Sequence, residues 1–113
     1  MNPQQKIEAE AAAFRHLLKH LDANKDVQNI DLMVLADFCR NCLAKWYMAA
    51  VKDQGLDMDY DQARESIYGM PFSEWKEKYQ LPATPEQLAG FEARQEAKKK
   101  TTDSSAFPTS GCQ

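Results

Sequence analysis

NIDLMVLADFCRNCLAKWYMAAVKDQ, residues 29 to 54, is the stretch on which the reading of this 113-residue chain turns. At about 100° per residue, with Leu35 set at zero, Leu32, Cys39, Cys42, Trp46, Ala49 and Ala50 fall within roughly 60° of it. Phe38 and Leu43 flank that seam, and Asp37, Asn41, Lys45 and Lys52 share a narrow polar sector. Met33, Ala44, Tyr47, Met48 and Val51 leave most of the remaining perimeter apolar. A helix with so little polar face is buried by several neighbours. No Pro or Gly interrupts the stretch, Asn29 suits an N-cap, Asp31 lies near the positive end of the dipole, and Gly55 suits a C′ stop. The expectation is one long apolar central helix over residues 29–54.

Working outward, residues 3–22 read as a first helix capped by Asn2, with Pro3 in its first turn. Ile7, Ala11, Phe14, Leu18 and Leu21 form one apolar stripe, widened by Leu17, while Arg15, His16 and Lys19 point away. The connection 23–28 is short and polar, so the first two helices should form an antiparallel hairpin, with Phe14, Leu18 and Leu21 on the central helix. Beyond Gly55, Asp57 or Asp59 caps a third helix ending near Tyr68, where Gly69 and Pro71 stop it. Phe72, Trp75 and Tyr79 mark a short fourth helix capped by Ser73. Thr84, Pro85 and Gln87 open a fifth, with Leu88 and Phe91 on a small apolar face. The chain thus reads as all-α: about five helices around the central one in a single domain over 1–97, and a disordered tail over 98–113.

Composition narrows the function. The net charge of −3 argues against a nucleic-acid partner, which a basic patch would announce. No apolar run reaches the ~20 residues of a membrane span, and the N-terminus lacks the apolar core of a secretory signal, so the expected location is cytoplasmic. Three cysteines do not suggest a secreted disulfide framework. Glycine loops for phosphate, nucleophile elbows and Ser/His/Asp arrangements are missing.

Cys39 and Cys42 have the Cys-x-x-Cys spacing of a zinc site, an iron–sulfur site or a redox dithiol. A mid-helix position would deny them the helix N-terminus that lowers a thiol's pKa, so packing as small apolar side chains stands ahead of metal, and metal ahead of redox chemistry. The expectation is no cofactor, with zinc or iron at Cys39 and Cys42 as the alternative. His16 and His20 are four apart, but in the expected hairpin His20 lies roughly 12 Å along the helix axis from Cys39, too far to share a metal. Asp57, Asp59 and Asp61 alternate as in a calcium loop but lack its Gly and distal Glu, so helix capping is the better reading. Two copies packed through their central helices would bury the excess apolar perimeter, and a two-fold homodimer is the commonest oligomer.

Three blocks carry a resemblance: DVQNIDLM (26–33), FCRNCL (38–43) followed by Trp46-Tyr47, and YGMPFSEW (68–75); TPEQLAGFE (84–92) adds to them. Over most of residues 10–92 the chain resembles the short bacterial proteins grouped as domain-of-unknown-function family 1244. The resemblance implies a small helical bacterial protein forming a tight homodimer, and it implies no activity. It directs attention to Asp26, Gln28, Asn29, Asp31, Cys39, Arg40, Asn41, Cys42, Trp46, Tyr47, Tyr68, Gly69 and Trp75. Arg40 and Asn41, with Asp26, Gln28, Asn29 and Asp31, are expected either to form a polar network or small-ligand pocket, or to pair Arg40 with an acidic residue, on the same chain or a partner. The functional expectation is a homodimeric interaction or structural module. A thiol-based metal or redox protein is the alternative, and a small-ligand-binding protein or enzyme using a pocket around Arg40 is the weakest of the three.

Overall fold

The computed structural model describes residues 1–99, without the side chain of Lys99. Its elements are α1 (Pro3–Ala23), α2 (Asn29–Ala36), α3 (Arg40–Asp53), α4 (Tyr60–Tyr68), α5 (Phe72–Tyr79) and α6 (Pro85–Lys99), with no strand among the described residues. The expected disordered tail began at Lys98; α6 instead runs through Lys99, and the remainder of that segment lies outside the described residues.

Local chemistry explains most of the boundaries. Asn2 accepts from the Gln5 backbone N–H at 2.7 Å, and the Gln5 side chain accepts from Asn2 N at 2.9 Å, a reciprocal capping box before Pro3. The same box starts α4 between Asp59 and Gln62, at 2.8 and 2.9 Å, and α6 between Thr84 and Gln87, at 3.1 and 2.8 Å. Gly69 closes α4 with φ +75°, a conformation that costs glycine nothing. Two caps differ from expectation. α2 is capped by Gln28, whose N–H donates to Asp31, rather than by Asn29. α5 begins at Phe72 behind Pro71, one residue before Ser73.

The largest correction concerns residues 29–54, which form two helices. The chain leaves α2 at Asp37, whose φ of +56° and ψ of +36° are left-handed, and passes through extended Cys39 before α3 begins. Aspartate is among the few non-glycine residues that tolerate this region. Tertiary contacts hold it there: the Asp37 carboxylate lies 3.3 Å from Lys98 Nζ and accepts from Gln95 Nε2 at 3.4 Å, both on α6. Breaking the helix separates its two tasks. α2 packs on α6 while α3 packs on α4, two directions that one straight rod would not serve. The break also resets the helical phase, so Leu35, placed at the centre of the expected seam, is 78% exposed.

Two apolar clusters result. Leu21, Leu43, Ala44, Ala63, Ile67, Tyr68 and Trp75 form the main core, and Met33, Cys39 and Cys42 form a smaller one walled by Leu32, Phe38, Trp46 and Phe91. The C-terminal end of α1 joins the main core through Leu21, and Phe14 stacks on Tyr47 of α3 with ring centroids 6.2 Å apart. The N-terminal end does not join: residues 1–10 are all exposed. None of the described helices is long and apolar enough to cross a membrane.

Candidate functional site

Because α3 starts at Arg40, the first turn of α3 faces the α1–α2 connection. Arg40 is 3% exposed and has no carboxylate partner in its hydrogen bonds. Its guanidinium donates to the carbonyl of Val27 at 2.8 Å, to the carbonyl of Asn24 at 3.0 Å and to Asn29 Oδ1 at 3.0 Å. It also lies over the Trp75 ring, 5.1 Å from the centroid. Of the two expectations for Arg40, the acidic partner gives way to backbone carbonyls. Carbonyls at a turn are fixed acceptors, and the planar fork of arginine matches several at once.

Arginine can only donate, and this gives the network a direction. Asn29 must turn its oxygen to Arg40, so its Nδ2 donates to the Tyr68 hydroxyl at 3.0 Å. Tyr68 then donates to Asn41 Oδ1 at 2.7 Å. The relay ends at Asn41, 1% exposed, whose amide N–H groups have no part in it. Gln28, 6% exposed, works separately: its Nε2 donates to the carbonyls of Asp26 and Tyr79, and its Oε1 accepts from Leu81 N at 2.9 Å. Gln28 thereby ties the α5–α6 connection to the start of α2. Asp31 completes this end, accepting from Gln87 Nε2 at 2.8 Å.

Gln28, Asn29, Asp31, Arg40 and Asn41 are thus brought together at one end of the molecule. Asp26 contributes a carbonyl while its side chain stays exposed. Trp46 and Tyr47 lie elsewhere, half-buried on α3 and stacked on Phe38 and Phe14 respectively. Beside the network is a cleft of about 310 Å³ lined by Gln28, Asn29, Ile30, Met33, Asn41, Gln80, Leu81, Pro82, Ala83, Leu88 and Phe91. Its apolar walls come from α2, α6 and the 80–83 connection, which periodicity alone does not bring together; the only sequence signal for it was the Leu88/Phe91 face.

The cysteines are also relocated. Cys39 is the N-cap of α3 and Cys42 lies in its first turn, both fully buried, whereas a mid-helix position was expected. The Cys39 thiol makes no capping hydrogen bond, yet the N–H groups of Cys42 and Asn41 and the charge of Arg40 favour its thiolate. Burial outweighs them and pushes its pKa up. Burial also raises the Tyr68 hydroxyl far above its ordinary value, against the opposing pull of the Asn29 hydrogen bond and Arg40. Among the described residues, no three His, Cys, Asp or Glu side chains group as a metal site would require. His16 and His20 are exposed on α1.

These shifts fix a pH dependence. Both groups are acids kept neutral by the fold, so above their unfolded pKa values of about 8.5 for Cys and 10 for Tyr the unfolded state holds fewer protons. The contribution of these two groups is therefore level below about pH 8.5 and falls above it, each with a slope of at most ~1.4 kcal/mol per pH unit between its unfolded and its folded pKa. Thermal unfolding from pH 7 to 11 should show this decline, and Tyr68→Phe should shallow the part above pH 10. A profile flat to pH 11 would contradict the assignment.

Residues 27–93 match the family model described as Protein of unknown function (DUF1244). No curated protein matches the chain. The matched segment holds Gln28, Asn29, Arg40, Asn41, Tyr68 and Trp75; α1 lies outside it.

Proposed function

The chain belongs to the DUF1244 family of proteins of unknown function, and from that premise we propose that it is a homodimeric interaction module whose subunits pair through α1. The observation that carries this reading is the free end of α1. Ile7 is 58% exposed on the same stripe as Phe14 and Leu18, in a capped helical arm with residues 3–10 exposed to solvent. Residues 39–44 of the stretch expected to form the interface are buried within the chain itself, which favours α1 over them as the pairing surface.

A second copy fits the arm by charge as well as by shape. At about 100° per residue, Glu8, Arg15 and Lys19 share one flank of the stripe. A two-fold axis across antiparallel helices sets each flank against its own copy, so Glu8 of one subunit meets the basic side chains of the other. The antiparallel helix dipoles add to this.

Ile7→Asp and Ala11→Glu, both in the free half of α1, test the interface. Each should weaken association at least tenfold while leaving the fold of the rest intact, read by light scattering and by the unfolding transition. Association unaffected by both would exclude α1 as the interface.

The thiol reading keeps one observation in its favour, the place of Cys39 at a helix N-terminus with two amides near its sulfur. Zinc or iron carried by the native protein and lost in Cys39→Ala would establish it.

A further inference from the structure

The face of α1 opposite the apolar stripe carries both histidines of the chain. At about 100° per residue from Ile7, the stripe of Ile7, Ala11, Phe14, Leu18 and Leu21 lies within roughly 40° of zero, whereas His16 and His20 lie at about 180° and 220°. The helix is unbroken through both, since α1 spans Pro3–Ala23. Asn24 Nδ2 donates to the carbonyl of His20 at 2.8 Å and holds the last turn closed. Both histidines are exposed, and their neighbours on this face, Ala9, Ala12 and Ala13, are exposed alanines that leave the imidazoles room. Cβ atoms four residues apart on a helix are about 6 Å apart. Two imidazoles span that gap when each places a nitrogen ~2.0–2.1 Å from one metal ion.

We propose that His16 and His20 chelate one late first-row divalent cation, of the class of Ni²⁺, Cu²⁺ or Zn²⁺. Imidazole suits these ions, whereas Mg²⁺ and Ca²⁺ take oxygen ligands. Among the described residues no third His, Cys, Asp or Glu joins the pair. Water therefore completes the coordination shell, and the site is open and exchangeable rather than closed and structural. Lys19, about 60° from His16 around the helix, repels the ion and lowers its affinity without filling a ligand position. The bound ion clips the last turns of α1 on the side away from the stripe, so the site stands whether or not two arms pair.

The test uses the full chain, stripped of metal and titrated with Ni²⁺, with Mg²⁺ as control. Calorimetry should show Ni²⁺ binding and none of Mg²⁺ at the same concentration. Amide-detected NMR should show paramagnetic broadening by Ni²⁺ centred on residues 16–20. His16→Gln and His20→Gln should each weaken Ni²⁺ binding at least about tenfold, because a single imidazole loses the chelate. Adding Ala12→His to His20→Gln rebuilds the four-residue spacing around His16 and should restore binding. All three positions are exposed, so the helix content read by circular dichroism should not change. Broadening centred on residues 39–42, Ni²⁺ affinity unchanged by both single replacements, or no recovery with Ala12→His would each overturn the proposal.

Discussion

Replacing Arg40 with methionine is expected to destabilise the protein by about 3–5 kcal/mol, because several buried neutral acceptors lose their donor at about 1–3 kcal/mol each. Methionine keeps much of the side-chain volume, so a cavity contributes little. What is lost is the set of bonds to the carbonyls of Asn24 and Val27 and to Asn29 Oδ1. Those acceptors sit in the connection that turns α1 into α2, and without the guanidinium they have to be rehydrated or left unpaired. Asn29 would also be freed to rotate, and the direction of the Asn29–Tyr68–Asn41 relay would no longer be set. Arg40→Lys keeps the charge but not the fork, so a loss of about 2 kcal/mol is expected. Urea unfolding at fixed protein concentration measures both. A loss below 1 kcal/mol for Arg40→Met would mean that the α1–α2 connection does not depend on this side chain.

Trp75→Ala should cost a comparable amount, about 3–5 kcal/mol, by a different mechanism. Trp75 is 2% exposed, and its ring meets Tyr68, Phe72 and Tyr79 at centroid distances of 4.8, 6.5 and 5.8 Å. It also forms the face beneath Arg40. Truncation opens a cavity where α5 meets the main core and removes the apolar floor under the guanidinium, so Trp75 and Arg40 are energetically coupled. The double variant Arg40→Met/Trp75→Ala should then lose less than the sum of the singles, by 0.5 kcal/mol or more. Strict additivity would show that the two side chains act independently.

Much of the architecture was readable from local rules. The caps at Asn2, Asp59 and Thr84 each paired with a glutamine three residues on, and the stops at Gly55 and Gly69 needed only the glycines themselves. These interactions span a few residues, so short-range chemistry decides them. The break at 37–39 was not readable. Every residue from Asn29 to Gln54 tolerates a helix, and the left-handed turn at Asp37 is chosen by Lys98 and Gln95, about sixty residues away. That one turn moved Cys39 from mid-helix to an N-cap, exposed Leu35 and aimed Arg40 at the α1–α2 connection. The candidate site shows the same division. Its residue types were visible in NIDLM and FCRNC, but their partners are backbone carbonyls of residues 24, 27 and 79, which side-chain patterns do not reveal.

Pairing through α1 is most directly tested by native mass spectrometry of the full chain at micromolar concentration, purified anaerobically and without a metal-binding tag. The account predicts a species of two chains, converted to one chain by Ile7→Asp. A single-chain mass for the unaltered protein would contradict it, leaving the exposed arm of α1 to a partner of another kind.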